Sequence, residues 1–498
     1  MRSILFLALL ILVTSCSSLN RRTTSPETEF RGVWIATVVN IDWPKNGLDS
    51  ATKQKEDFIE ILDFYQQLNF NAAIVQVRTA GDAFYESELA PWSKYLTGKE
   101  GKPPLDFENP LEWMINETHK RGMEFHAWLN PYRATFDLDT LALSEKHDYH
   151  QHPDWMIKYG KKYYYNPGLP NVQNKLTEVI LELVDNYQVD AIHFDDYFYP
   201  YKIDGEVFND SLSYKEYGLK EQSLGDWRRS NVDSLIKKTH LAIKKSKPWV
   251  QFGISPFGVW KNQDTDPNGS ATKAGQTTYE DLYADPLLWV DKGWLDYLVP
   301  QVYWSMDYPV ASHRIITTWW ANKTNNTNLY IGNGTYKIKN NADKAWKRRN
   351  EIPKQLDFAR SQSRISGNVF FSAKSLLNKN ERVVKSLQRK FYRNPSQNPA
   401  GIGSSSRRII EPRIEKVHIR NKTVEICISH KDAIPRFVRL HEYHKSVEEG
   451  STQLVQKVYL SETDSSACFQ FKLNKKVYGI SIRDAYGNES KTIPIPLN

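Results

Sequence analysis

The residues best suited to chemistry fall in one short run, His193-Phe194-Asp195-Asp196-Tyr197. It sets an imidazole, two adjacent carboxyl groups and aromatic rings at the end of the strand-like segment Ala191–Asp196. Two carboxyl groups can act as acid and base, or as acid and nucleophile, when their surroundings push their pKa values apart. Glycosidic bond cleavage generally uses such a pair. Asp195 is the first candidate, because it shares the inward-facing parity of His193. Asp196 has the opposite parity and joins it only if the strand breaks at its tip. Asp82 is a further candidate partner, with Asp42, Asp264 and Asp266 also beyond strand ends. No glutamate follows a strand, which argues against a plan with glutamates after the fourth and seventh strands.

Comparable clusters end the other strand-like segments. They are Asp42-Trp43, Gln76-Val77-Arg78, Pro91-Trp92-Ser93, His126-Ala127-Trp128-Leu129-Asn130-Pro131-Tyr132-Arg133, Ser255-Pro256 and Gln301-Val302-Tyr303-Trp304. Same-parity residues share a strand face, which groups Gln76 with Arg78, His126 with Trp128 and Asn130, and Gln301 with Tyr303. An unpaired buried polar group costs ~1–3 kcal/mol, so these sets are expected to line a mouth rather than face a helix layer. Aromatic faces beside hydrogen-bonding side chains suit a sugar. Candidate substrate contacts are therefore Asp42, Trp43, Arg78, Trp92, His126, Trp128, Asn130, Arg133, His193, Tyr197, Ser255, Gln301, Tyr303 and Trp304. Trp260 is a further stacking platform, whereas Trp113 belongs to a helical pattern and reads as core. Isolated histidines on separate strands are weak metal ligands, and no Gly-x-Ser-x-Gly elbow occurs. Neither a metal nor a cofactor is expected.

These residues need a scaffold that brings eight strand ends together. Strand-like segments recur at 31–38, 72–78, 124–130, 191–196, 250–256, 296–303, 329–336 and 367–373. Helical patterns lie between them, clearest at 56–69, 110–121, 172–187 and 231–245. Eight β-then-α repeats predict an α/β fold, a (β/α)8 TIM barrel with its site at the strand C-termini. A doubly wound sheet would need a glycine-rich loop after the first strand, which is missing. All fifteen tryptophans precede residue 347, and a Pro/Gly/Ser-rich stretch at 394–406 reads as a linker or flexible loop. Beyond it, short alternating segments predict a C-terminal all-β, fibronectin type III-like sandwich. Cys427 and Cys468 fall there, either bridged or as reduced core residues.

The N-terminus carries Arg2 and the apolar run Ile4–Val13, too short to span a bilayer but suited to a signal peptide. Val13-Thr14-Ser15-Cys16 resembles a bacterial lipobox, which makes Cys16 the lipidated residue. The expected location is the cell envelope, anchored to the outer membrane and facing the periplasm. A net charge of +8 spread over 498 residues shows no basic stripe, so nucleic acid is not an expected partner.

Taken together, Phe30-Arg31-Gly32-Val33-Trp34, Gln76-Val77-Arg78, Pro91-Trp92-Ser93, the His126–Arg133 run, His193–Tyr197 and Pro300-Gln301-Val302-Tyr303-Trp304 resemble the glycosyl hydrolase-like 10 family. The resemblance covers 30–371. It implies a barrel glycosidase of bacterial envelopes, acting on peptidoglycan glycan strands that lack stem peptides, with Asp195 and Asp196 as the catalytic centre. The domain reading is signal peptide 1–16, tether 17–28, barrel 29–393, linker 394–410 and sandwich 411–498. The competing reading is a glycan-binding lipoprotein without catalysis.

Overall fold

The computed structural model describes residues 26–348, 350–402, 408–431, 434–443, 452–461, 464–474 and 476–497. The lipobox and Cys16 lie outside them. Eight parallel strands close a barrel: β1 (Phe30–Ile35), β2 (Ala72–Arg78), β3 (Glu124–Leu129), then, after a small hairpin of β4 (Met156–Tyr159) and β5 (Lys162–Tyr165), β6 (Ala191–Phe194), β7 (Gln251–Ile254), β8 (Tyr297–Leu298), β9 (Asn328–Asn333) and β10 (Ile365–Phe370). Each strand pairs with the next in sequence and β10 closes on β1. β2 shows why alternation works here: Ala72 and Ile74 join the barrel interior, while Ala73, Val75 and Val77 pack into the surrounding core. The interior is filled rather than hollow, as Phe30 stacks on Tyr330 with ring centroids 4.1 Å apart.

All eight expected strands are present, but several end early. β6 stops at Phe194, ahead of both aspartates. β8 stops at Leu298, because Pro300 has no N–H for the ladder; Gln301 continues only through single bridges to Phe257 and Gly332. The crossover helices include α1 (Ala51–Gln67), α2 (Pro110–Lys120), α3 (Pro170–Asn186) and α4 (Leu224–Ser246). α4 begins seven residues before the periodic pattern at 231, since Ser223 caps it by accepting from Asp226 N at 3.1 Å. α2 and α3 carry proline in the first turn.

The C-terminal region is the expected sandwich. β11 (Arg413–Arg420), β12 (Thr423–Ser429) and β15 (Ser466–Lys472) form one antiparallel sheet; β13 (Pro435–Tyr443), β14 (Thr452–Tyr459), β16 (Tyr478–Asp484) and β17 (Ile493–Pro494) form the other. The three-plus-four arrangement is fibronectin type III-like. Cys427 and Cys468 stand opposite each other on β12 and β15 and are joined by a disulfide. They lie on the outward face of that sheet, not in its core.

The expected linker is no free tether where it is described. Asn394–Ala400 runs across the barrel floor: Arg31 donates to Asn394 O (2.7 Å), Asn71 to Ser396 O (3.2 Å), and Glu29 N to Gln397 O (2.8 Å). Ser396 and Asn398 are buried. Polar side chains that suit a linker here satisfy backbone groups at the strand N-termini.

The four-stranded sheet of the sandwich seats on the same floor. Asp190, just ahead of β6, accepts from Phe125 N and His119 Nε2, both at 2.7 Å, and lies 3.4 Å from Arg436 Nε of β13. The Arg436 charge and these two donors hold its carboxyl down at about 2, despite burial. Asp190→Ala would leave Arg436 and the Phe125 amide facing a void. We expect it to destabilise the protein by about 3–5 kcal/mol in urea unfolding.

Candidate active site at the barrel mouth

The strand-four tip decides the site. Because β6 ends at Phe194, Asp195 and Asp196 both leave the ladder, and consecutive carboxyl groups can turn to the same side. Both are buried, at 4% and 2% exposure, so neither is a solvated surface carboxylate.

Asp195 is held from β3 and its exit turn. Trp128 Nε1 donates to Oδ2 (3.1 Å), Asn130 Nδ2 reaches Oδ1 and Oδ2 (3.1 and 3.2 Å), and Tyr197 N approaches Oδ1 (3.4 Å). Burial raises its pKa, opposed by the Arg133 charge and by the Asn130 and Trp128 donors. Arg133 is fixed above the Tyr197 ring, 4.6 Å from its centroid, and donates to Thr79 O (3.2 Å).

Asp196 has a different shell. It accepts from the Tyr201 hydroxyl, whose ring stacks on Tyr197. The Gln301 side chain also bonds it, and the Gln301 amide is itself anchored on Ser255 O (2.9 Å). Burial, and then the neighbouring Asp195 charge, push the Asp196 carboxyl up to about 7. Two adjacent carboxyls are thus split, with Asp196 retaining its proton near neutrality.

Beneath the pair lies a hydrogen-bonded column. Trp34 Nε1 donates to His193 Nε2 (3.2 Å), and Ser255 Oγ lies 3.0 Å from the same nitrogen. His193 Nδ1 meets Tyr297 OH (3.1 Å), which meets His126 Nδ1 (2.9 Å), and His126 Nε2 meets Glu124 (3.2 Å). Trp34 can only donate, so His193 accepts at Nε2 and carries its proton on Nδ1. Burial depresses its pKa well below the usual imidazole range, which keeps it neutral. The column needs Gly253, since a Cβ there would meet the Tyr297 ring at 2.0 Å.

The mouth therefore gathers Asp195, Asp196, Trp128, Asn130, Arg133, Tyr197, Gln301 and Tyr303, whose ring lies near both carboxylates. Trp304 is half-buried beside Phe257 on the rim, and half-buried Trp92 lies on the loop after β2. Other expectations are corrected. His126 and His193 face inward, but His126 sits about 13 Å down the strand from Asn130, by four residue rises, and is fully buried. Ser255 lies under the site as a brace for His193 and Gln301. Trp43 is core: it is 0% exposed, packs on Phe58 and donates to Gln54 O (2.7 Å). Asp42 ties β1 to the loop after β10, accepting from Ala36 N, Ser372 Oγ and Lys374 N at 2.7–2.9 Å. Asp82 closes its own turn on Thr79 and Ala80. Arg78 follows a register shift in β2 and is buried between Asp82 O and Tyr165 OH. In each of these four the side chain is engaged in packing or bracing the barrel.

Residues missed in the sequence include Trp34, Tyr201 and Glu100. Tyr201 closes the aromatic run that follows the aspartates, which is the signal that could have found it. Glu100 is on the loop after β2; burial pushes it up to about 7 while Ser144 N donates to it at 2.9 Å.

A closed parallel barrel with a split carboxyl pair and aromatic rim at its strand C-termini defines a barrel of the glycoside hydrolase class. The glycosyl hydrolase-like 10 family matches residues 29–348. Glycosyl hydrolase YngK of Bacillus subtilis (strain 168) is 47% identical over 379 residues, 75% of this chain and 74% of that protein. Glycosyl hydrolase DigH of Escherichia coli (strain K12) is 38% identical over 386 residues, 72% of this chain and 87% of that protein. Among solved structures, the PgaB (BpsB) glycoside hydrolase domain from Bordetella bronchiseptica aligns with 74% of this chain and 99% of its own, with a TM-score of 0.47 and 10% identity. The chain belongs to the glycosyl hydrolase-like 10 family, and its chemistry is that of a glycan-acting hydrolase.

Two tests follow from the geometry. Trp43→Ala should cost about 3–5 kcal/mol of stability, as a core cavity does; Trp304→Ala should instead weaken retention on glycan by about tenfold, from lost stacking. Because Asp196 binds its proton more tightly folded than unfolded, its ionisation erodes stability as pH rises from about 4 through about 7. Asp196→Asn should therefore be more stable than the parent in urea unfolding at pH 8, by about 4 kcal/mol, with the difference vanishing near pH 4.

Proposed function

We propose that the protein is a glycosidase of the bacterial envelope, cleaving peptidoglycan glycan strands that lack stem peptides. The observation that carries this reading is the split pair: Asp196 protonated up to about 7 beside Asp195, which Asn130, Trp128 and Arg133 favour as the carboxylate. Asp196 is the general acid, delivering its proton to the glycosidic oxygen as the bond to the anomeric carbon breaks. Asp195 stabilises the positive charge that develops on the sugar ring, and water then adds to the anomeric carbon, its proton returning to the Asp196 carboxylate. Deeply buried charges interact strongly, so Asp195 gains most as that charge appears. Tyr201, at 36% exposure, lies over Asp196 and must yield to an incoming sugar. The rim rings of Trp304 and Phe257 offer apolar faces to sugars, and Tyr303 and Arg133 offer hydrogen bonds.

The substrate and location rest on further support. The family resemblance points to stripped glycan strands. The signal-like run ending at Cys16 favours an exported lipoprotein held in the outer membrane, and the Cys427–Cys468 disulfide suits an oxidising compartment.

The test is digestion of amidase-treated and intact peptidoglycan by the purified protein. Soluble sugars should be released from the stripped strands at least tenfold faster. Asp195→Asn and Asp196→Asn should each lower kcat by about 100-fold or more. With Asp196 as acid, kcat/KM must fall as pH rises above about 7, because the neutral carboxyl is lost. Binding without release, unchanged in both variants, would identify a glycan-binding protein instead.

A further inference from the structure

The seam between barrel and sandwich holds a second, open cleft that the mouth chemistry does not use. It is a cavity of about 570 Å3, within the range of small-ligand sites. Its walls come from the C-terminal ends of α2 and α3 and from β14, so it lies toward the barrel floor, away from the aspartates.

Its lining is hydrogen-bonding, aromatic and weakly charged. The His119 ring stacks on Tyr459 at 3.8 Å between centroids and 14° between planes. Tyr459 OH donates to Gln188 Oε1 (2.8 Å), which fixes that wall. His119 Nε2 must donate to the ionised Asp190, and this turns Nδ1 to the other side of the ring. His119 is 1% exposed, and its Nδ1 has no partner among the described residues. That nitrogen is sealed from the cavity, so the stacked rings of His119 and Tyr459 form a wall rather than a contact group. Tyr187, 8% exposed, lines the same space, with no side-chain hydrogen bond among the described residues. Asn116 and Asn186 bring unengaged amides to its lip.

We propose that this seam cavity is a second glycan-binding site, taking a neutral oligosaccharide segment rich in hydroxyl and acetamido groups. The Tyr187 phenol and the Asn116 and Asn186 amides match donors and acceptors that carry no net charge. An anion would find Glu112 at the lip, and among the described lining residues a single lysine, Lys120, which is already paired with Glu117. An apolar ligand would bury the same polar groups unpaired, at ~1–3 kcal/mol each. The choice of a glycan rests in part on the proposed function, because one polymer can then engage the seam and the mouth together. A second contact on one chain raises retention well beyond either site alone.

The experiment uses full-length protein carrying Asp196→Asn, so that the mouth binds without turnover. The probe is a trisaccharide of β-1,4-linked N-acetylglucosamine, titrated by calorimetry. The expected result is two binding events, one weakened about tenfold by Asn116→Ala with Asn186→Ala. Tyr187→Phe, which removes one hydroxyl and keeps the ring, should weaken the same event by about fivefold. In the otherwise wild-type protein, these variants should hydrolyse a short soluble substrate at the parent rate while losing retention on insoluble glycan strands. A single binding event, or two events that Tyr187→Phe leaves unchanged at an unaltered melting temperature, overturns the proposal. Failure of the mouth reading looks different: Asp195→Asn would still hydrolyse glycan, with the seam titration unaffected.

Discussion

Two carboxyl groups on consecutive residues, both shielded from water, are the constraint around which the barrel mouth is organised. Neighbouring carboxylates in a poorly solvated site cannot both ionise without a large penalty. Asp195 receives the donors, from Trp128 and Asn130, and the nearby Arg133 charge. Asp196 receives the Tyr201 hydroxyl and the Gln301 side chain, and keeps its proton to about 7. Moving one donor from one shell to the other would narrow that separation. The asymmetry is therefore built into which segment supplies which donor: β3 and its exit turn serve Asp195, while Tyr201 of the loop after β6 and Gln301 after β8 serve Asp196.

That arrangement needs a rigid floor, and the barrel supplies a polar one. The column from Trp34 through His193, Tyr297 and His126 ends on Glu124, at the N-terminal end of β3. Trp34, His193, Tyr297 and His126 are all buried, so each depends on its neighbour, and neutral His193 adds no positive charge beneath the acid pair. Below it, the sandwich and the Asn394–Ala400 strap cover strand ends that would otherwise expose unpaired backbone.

The fold was legible because a barrel repeats its signal eight times; alternation and helical periodicity located every barrel strand. The limits of the strands were less so. Proline at 300 shortens β8, and the tip of β6 breaks before Asp195, a local event that parity cannot foresee but on which Asp196 depends. Parity identified the face of His126 correctly but said nothing of depth, so a residue of the buried column was expected at the mouth. Trp43 and Asp42 show a second limit: near a strand end, the same residue types serve a core or a brace as readily as a ligand. Tyr201, supplied by a loop five residues past Asp196, follows no periodicity at all.

The direction in which the chain enters the barrel has a mechanical consequence. Glu27 and Thr28 lie on the floor, paired with Gln397, and β1 then runs upward to the mouth. A force applied ahead of Glu27 is thus met by the strap and the seated sandwich, and reaches the aspartates only through the length of β1. The same geometry sets a separation: the entry point of the chain and the open mouth lie at opposite ends of β1, about 20 Å of strand apart.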